Sequence, residues 1–325
     1  MIAELSRCRR VLITTHVRPD GDALGTAAAM QMGLGKRGIS AEVLLLSHLP
    51  SKYGFIFHEN QIPFHDAEAG WPTGLELDAF DALLVVDTGT WSQLPGLKER
   101  ILPWDRPKLV LDHHLTQEDW ATHKLVDTKA AAAGEIATEL LERWGVEMDP
   151  RIATALYLAI VSDTGWFHFS NTQPHTLRMA ADLIEAGVDT DRLYQLLYYS
   201  EKSQRIALHT RALQSLELLA GERLAVMRLM PRDFQETHAG VGDTENVINQ
   251  PLAIRTVEVS VLMVQPPGDD VVRVSFRSKG QVDVARFAER FGGGGHARAA
   301  GCKIAAPLEE VHRRLTQAMT EALGG

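Results

Sequence analysis

Cysteine is nearly absent. Cys8 and Cys302 are the only two, far apart and outside any CxxC spacing, which excludes a disulfide framework and a thiolate zinc site. Both are read as buried thiols. Long apolar runs are missing as well: the N-terminal MIAELSRCRRVLITTH offers only VLI as an h-region, and no stretch approaches the roughly 18 apolar residues of a membrane span. The expected location is the cytoplasm, with no membrane partner. No repeat and no low-complexity tract is present, although the alanines at 130–133 come near one. A basic surplus is also lacking, since the formal charge is −9. Residues 1–185 carry 16 Lys and Arg against 25 Asp and Glu, and only residues 251–325 reverse the sign, with 10 against 8. Such a chain has no wide basic face for neutralising many phosphates, so long duplex nucleic acid is excluded as a partner. A small phosphorylated ligand is compatible with it, provided that bound cations offset the local carboxylates.

What is present is an ordered alternation. VLITTH, DALGTAAAMQMGLGKRG, AEVLLLS, ALLVVDTG and KLVLDHH alternate apolar runs with a helical pattern, which predicts an α/β fold with a parallel sheet wrapped by helices. AAAAGEIATELLERWG reads as a helix ending at Gly145, and DPRIATALYLAIVSD as another, with Asp149 as its N-cap, Pro150 in its first turn and Asp163 at its far end. From about residue 188 a polar helical stretch without strand runs reads as a linker. RLAVMRLM, a β-hairpin around PPGDD, the helix VDVARFAERF, the stretch GGGGHARAAG and a helix from Pro307 onward then predict a smaller C-terminal α/β domain. The expected boundaries are 1–187, 188–220 for the helical linker, and 221–325.

The acids explain the site. His16, Asp20 and Asp22 follow the first strand, Asp87 closes the ALLVVD run, and Asp112, His113 and His114 close KLVLDHH. In a parallel sheet those carboxyl ends face one crevice. Carboxylates crowded there without counter-charge would have raised pKa values and cost several kcal/mol, so multivalent cations are expected. Carboxylates outnumber imidazoles and no thiolate is available, which favours Mn²⁺, with Mg²⁺ or Co²⁺ as alternatives, over structural zinc. The ligands suffice for two ions, roughly 3.5–4 Å apart as in two-metal enzymes generally, with Asp87 as the bridge. In the tail, the glycines including Gly293, Gly294 and Gly295 let backbone N–H groups approach an anion, and His296, Arg298, Arg277 and Ser278 add donors. Asp112 is expected to orient one of the histidines.

HVRPDGDALG, VVDTG, LDHH and VSDTG, in that order, resemble the four motifs of the DHH phosphoesterase superfamily, and RVSFRSKG followed by GGGGHARAAG resembles its DHH-associated C-terminal domain. The resemblance spans nearly the whole chain and is nearest to the NrnA-type branch of oligoribonucleases and pAp phosphatases. It implies that His16, Asp20 and Asp87 hold one metal, that Asp22, Asp87, His113 and Asp163 hold the other, and that His114 faces the substrate phosphate. It also implies a two-metal hydrolase in which activated water attacks in line. The substrates implied are oligonucleotides of about two to five nucleotides, too short for the multi-phosphate contacts of long strands, linear dinucleotides such as pGpG and pApA, and pAp. Within that resemblance the C-terminal domain holds the substrate end remote from the cut, across a cleft. One departure is local: AAAAGE stands where relatives usually show Ser or Thr. A homodimer is compatible with this reading.

Blander readings compete. Asp20 and Asp22 suit a helix N-cap, Asp163 suits a helix end, GGGGH suits a connector, Glu135 suits a helix start, and Trp166, Phe167 and Phe169 suit packing. His48, His58, His65, His123, His175, His209, His238 and His312 are read as surface or loop residues, and His168 as a strand position. Two further functions stay open: a pyrophosphatase or polyphosphatase on the same scaffold, and a nucleotide-binding regulator without catalysis.

Overall fold

The computed structural model describes residues 1–199 and 201–324. They form two compact units divided between residues 200 and 201. In the first unit, β1 (Arg10–Thr14), β2 (Ser40–Leu45), β3 (Phe64–Asp66), β4 (Ala82–Val86), β5 (Lys108–Asp112) and β6 (His123–Val126) make one sheet in the order β3-β2-β1-β4-β5-β6. Every pairing in it is parallel. The order reverses between β1 and β4, and at such a switch point the loops leaving the strand carboxyl ends part to leave a crevice. β4 and β5 are buried along their whole length, as uninterrupted apolar strings covered on both faces must be.

The helices of this unit are α1 (Ile2–Leu5), α2 (Gly21–Lys36), α3 (Gly54–Glu59), α4 (Lys98–Ile101), α5 (Ala133–Arg143), α6 (Pro150–Asp163), α7 (Pro174–Glu185) and α8 (Thr190–Tyr198). α2 is small-residue-rich because it packs tightly on α6: a Cβ on Gly25 would stand 2.3 Å from the Ala155 carbonyl oxygen and 2.9 Å from the Ala159 nitrogen. α6 begins as its sequence predicts, with the Asp149 carboxylate accepting from the Arg151 and Ile152 N–H groups and Pro150 at the first turn. This close pairing fixes the start of α2 against the end of α6, and both carry acids.

The second unit has a mixed sheet in the order β11-β12-β10-β9-β8-β7, from β7 (Glu217–Leu219), β8 (Leu224–Leu229), β9 (Val259–Val264), β10 (Val272–Ser278), β11 (Gly294–His296) and β12 (Ala299–Ile304). Its helices are α9 (Ser203–Gln214), α10 (Pro231–Thr237), α11 (Val284–Glu289) and α12 (Leu308–Gly324). The hairpin expected around PPGDD is the antiparallel pair β9 and β10. The stretch 188–220 consists of α8, α9 and β7, and β7 is an edge strand on β8. Cys8 and Cys302 are both buried. Among the described residues no helix is long and apolar enough to cross a membrane.

Candidate metal centre

The six expected ligands come from four chain segments and meet at the carboxyl end of the first sheet. Asp20 caps α2, its Oδ1 accepting from the N–H groups of Asp22 and Ala23 at 3.0 and 3.1 Å. The capping reading is thus true of Asp20 and does not compete with a ligand role. Asp22 is fully buried, and its two oxygens accept from the Ala133 and Gly134 N–H groups at 2.6 and 2.9 Å, the first turn of α5. Helix N-terminal donors favour an anion there. Asp87, the residue after β4, has φ +60°, a left-handed conformation that non-glycine residues adopt at functional sites at a cost of about 1–3 kcal/mol. Asp163 ends α6, and His113 follows β5.

The donor atoms form three overlapping groups, His16 with Asp20 and Asp87, Asp22 with His113 and Asp163, and Asp87 with His113 and His114; within each, ligand atoms lie within 4.8 Å of one another. His113 Nε2 is 3.4 Å from Asp87 Oδ1, 3.7 Å from Asp22 Oδ2 and 3.3 Å from Asp163 Oδ2, and His16 Nε2 is 3.5 Å from Asp87 Oδ2. These separations exceed ordinary hydrogen bonds of about 2.7–3.2 Å. They leave donor atoms of opposite character facing one another with no direct bond to close the gap. Asp87 Oδ1 and His113 Nε2 are buried with no hydrogen-bond partner, and a buried polar atom without a partner is costly unless something else satisfies it. The donor set fits a pair of divalent cations.

Both rings present the same nitrogen inward. A backbone carbonyl only accepts, so Nδ1–H of His113 donates to Ala130 O at 3.2 Å and Nδ1–H of His16 donates to Val17 O at 3.0 Å. Each Nε2 is left to face the acids, the orientation that metal-ligating histidines generally show.

Without cations the cluster holds surplus protons. Burial pushes the Asp22 carboxyl well above its ordinary range, and the Asp87 and Asp163 charges add to it. Burial, with Asp87 and Asp20 nearby, raises Asp163 to about 6. Burial would lower His16 and His113, but the Asp87 carboxylate outweighs it and both rise to about 9. Burial would raise Asp87, but the His113 and His16 rings outweigh it and hold its pKa down.

Asp112 is not among these ligands. It is fully buried, and its Oδ1 accepts from the His113 N–H at 2.8 Å, the His114 N–H at 3.3 Å and the His114 ring Nδ1 at 2.8 Å. The histidine it orients is therefore His114. Hydrogen bonding to Asp112, ahead of the opposing effect of burial, raises the His114 pKa above its ordinary value. Gln117, which sequence reading did not single out, donates to Asp112 Oδ2 at 2.5 Å. A cavity of about 650 Å³ opens on the cluster, lined among others by Thr88, Thr90, Ser92, His114 and Thr116. A larger cavity of about 1010 Å³, lined by Lys129, Glu135, Asn171 and His175 among others, contains none of the six ligands.

The tail residues divide. β11 and β12 pair so that His296 is opposite Ala299, and Ala299 is opposite Arg277 of β10. Residues in direct register share a face, so Arg277 and His296 flank the small Ala299 on one side of the second sheet. Ser278, one residue on in β10, belongs to the other side, while Arg298 is exposed in the turn between β11 and β12, its guanidinium 3.0 Å from where a Cβ on Gly280 would stand. Ser278 is buried, and its Oγ accepts from the Gly280 N–H at 3.0 Å. Gly294 and Gly295 lie in a strand, with Gly293 just before it. Gly295 has φ +143°, and a Cβ there would meet the Ala299 oxygen at 2.6 Å, so the hairpin itself requires this glycine.

The remaining candidates lie apart from the cluster. His168 and Phe169 are exposed in a turn, not a strand, while Trp166 and Phe167 pack against the core. His58, His65, His123, His175, His209 and His312 are on strands or helices; of these His58, His123 and His175 are exposed, while the half-buried His65 pairs with Glu42 and His312 with Glu217. Glu135 is buried in the first turn of α5, its Oε2 accepting from the Ala131 N–H.

Residues 10–160 match the N-terminal domain of the DHH family, and residues 222–325 match the DHHA1 domain. The chain is 30% identical, over 96% of its length, to the bifunctional oligoribonuclease and PAP phosphatase NrnA of Thermus thermophilus, and covers 90% of that protein. It is 25% identical, over 94% of its length, to the protein of the same name from Bacillus subtilis, and covers 92% of it. Among solved structures, an exopolyphosphatase-related protein from Bacteroides fragilis superposes with a TM-score of 0.80 at 21% identity, over 99% of this chain and 96% of that one, a likeness of fold.

Proposed function

The chain belongs to the DHH family, and on that premise we propose that it is a metal-dependent phosphoesterase acting on very short oligoribonucleotides. It hydrolyses them, linear dinucleotides such as pGpG and pApA included, to 5′-mononucleotides, and converts 3′-phosphoadenosine 5′-phosphate to AMP. Relatives that match nearly the whole chain carry both activities in their names. One cut serves both, because in each substrate the broken bond joins phosphorus to a ribose 3′-oxygen. The observation that carries the reading is the buried, unpartnered pair Asp87 Oδ1 and His113 Nε2, placed where the two ligand groups meet.

Two Mn²⁺ ions, with Mg²⁺ or Co²⁺ as substitutes, would be held by His16, Asp20 and Asp87 on one side and by Asp22, Asp87, His113 and Asp163 on the other. Bound there, such ions would acidify water and offset charge on the phosphoryl oxygens. The chain's own residues supply the rest. Asp87, low in pKa between two imidazoles, remains an anion able to serve both groups. Asp112 holds Nδ1–H of His114 and favours its cationic form, which leaves Nε2–H to donate to a phosphoryl oxygen or to the departing 3′-oxygen. Thr88, Thr90, Ser92 and Thr116 give the cavity neutral hydroxyls for the sugar and phosphate. In the second unit, Arg277, His296 and Arg298, with the Gly294–Gly295 backbone, bind the end of the substrate remote from the cut; Ser278 supports that strand end by accepting from the Gly280 N–H, and the Gly293 N–H is already given to Ala288 O.

A pyrophosphatase or polyphosphatase is not favoured by the relatives' names, nor a regulator without catalysis by a complete ligand set. One substrate panel decides: pAp, a dinucleotide, a five-mer, a 24-mer and pyrophosphate, each with added Mn²⁺. Turnover of the first three and little of the last two is expected, and turnover of pyrophosphate alone would overturn the reading.

A further inference from the structure

Asp22, His113 and Asp163 approach from α2, β5 and α6, and something must hold three separate elements in register. Much of that falls to the turn before α5. Ala130 O, in that turn, takes the His113 Nδ1–H, and the Ala133 and Gly134 N–H groups, in the first turn of α5 that follows it, take Asp22. The turn and the helix start it leads into thus grip two of the three ligands. Neither has such a bond to the third.

We infer that Asn171 is the positioning residue that ties the third ligand, Asp163, to this turn. Its Nδ2 donates to Ala131 O at 3.1 Å and to Asp163 O at 3.1 Å. Both acceptors are carbonyls, so the amide orientation is dictated by its partners: only the NH₂ end satisfies both. One nitrogen with two hydrogens therefore joins the turn that holds His113, and leads into the helix start holding Asp22, to the last residue of α6. An aspartate carboxylate at this position could donate to neither carbonyl and would set a negative charge against both. Alanine would leave both carbonyls short of a donor. The His16, Asp20 and Asp87 group has no bond to Asn171, so its loss acts on one group and spares the other.

The inference rests on the proposed metal centre, and the test separates the two. Metal-free protein is titrated with Mn²⁺ while free aqueous Mn²⁺ is read by electron paramagnetic resonance, for the natural chain, N171A, H16A and the H16A/N171A double variant. The natural chain takes two ions; no uptake would sink the proposed function itself. N171A weakens one ion by about 10-fold or more, the usual cost of losing a supporting contact to a metal ligand, and leaves the other unchanged. H16A retains one ion, and adding N171A weakens that one. Unchanged affinity in N171A, or equal weakening of both ions in folded protein, overturns the inference. N171S, smaller but still hydrogen-bonding, replaces N171A if the latter does not fold, and is expected to lose less affinity.

Discussion

Adjacent histidines are turned in opposite senses by one carboxylate. His114 Nδ1 donates to Asp112 Oδ1 at 2.8 Å, while His113 donates only its backbone N–H to the same oxygen and points its Nε2 at Asp87, 3.4 Å away. The two rings are thereby placed for different roles in the proposed chemistry, His114 for proton donation and His113 for metal binding. Replacing Asp112 with asparagine keeps the volume and removes the charge that keeps His114 cationic. D112N should lower kcat on a dinucleotide by about 10²-fold, and H114A by about 10²–10⁴-fold, the range of a lost general acid. Steady-state kinetics beside a Mn²⁺ count is the check; both variants should keep two ions.

Metal uptake should release protons. In the metal-free fold His16 and His113 titrate at about 9 and Asp163 at about 6. At pH 7 both imidazoles therefore carry protons that a ligand lone pair must lose. Raised histidine pKa values mean that protons compete with metal below about pH 9, so Mn²⁺ affinity should climb from pH 7 toward 9 and then level. Calorimetry at pH 7 in two buffers of different ionisation heat should give a net release of at least two protons, those of the two imidazoles with any that the buried Asp22 carboxyl carries. A release of none would contradict the charge state described for the cluster.

Gly25 is where α2 and α6 touch most closely. An added Cβ would lie 2.3 Å from a backbone oxygen of α6, which cannot move without the helix. G25A should cost about 1–3 kcal/mol by overpacking, seen as a fall in Tm of about 2–10 °C. Mn²⁺ affinity should fall with it, since α2 carries Asp22 and α6 carries Asp163.

Arg277 is remote in sequence from the cluster and shares a face with His296. R277A should raise KM for a dinucleotide about 10-fold with kcat little changed, the signature of lost ground-state and transition-state binding alike. A large fall in kcat with KM unchanged would place Arg277 in the reaction itself.

The six residues proposed as ligands were legible in the sequence because each sits at an element end that local pattern reveals: the apolar runs before His16, Asp87 and His113, and the capped helix that ends at Asp163. The parallel order of the sheet followed from the same alternation. Asn171 and Gln117 gave no such signal. Their partners, Ala131 and Asp163 for one and Asp112 for the other, are set by tertiary convergence, and neither residue falls in a periodic pattern. Glu217–Leu219 reads as part of a polar helical stretch because an edge strand of three residues needs β8 beside it to exist. The glycine tail was legible as a place of close approach. The backbone that approaches Gly295 is its own hairpin partner.

The most direct test is a crystal soaked in Mn²⁺ and measured at the manganese absorption edge. Two anomalous peaks on either side of Asp87, one beside His16 and Asp20 and the other beside Asp22, His113 and Asp163, are expected. A density map with no peak at Asp87, or with these side chains turned away from one another, would contradict the two-cation site on which the proposed chemistry depends.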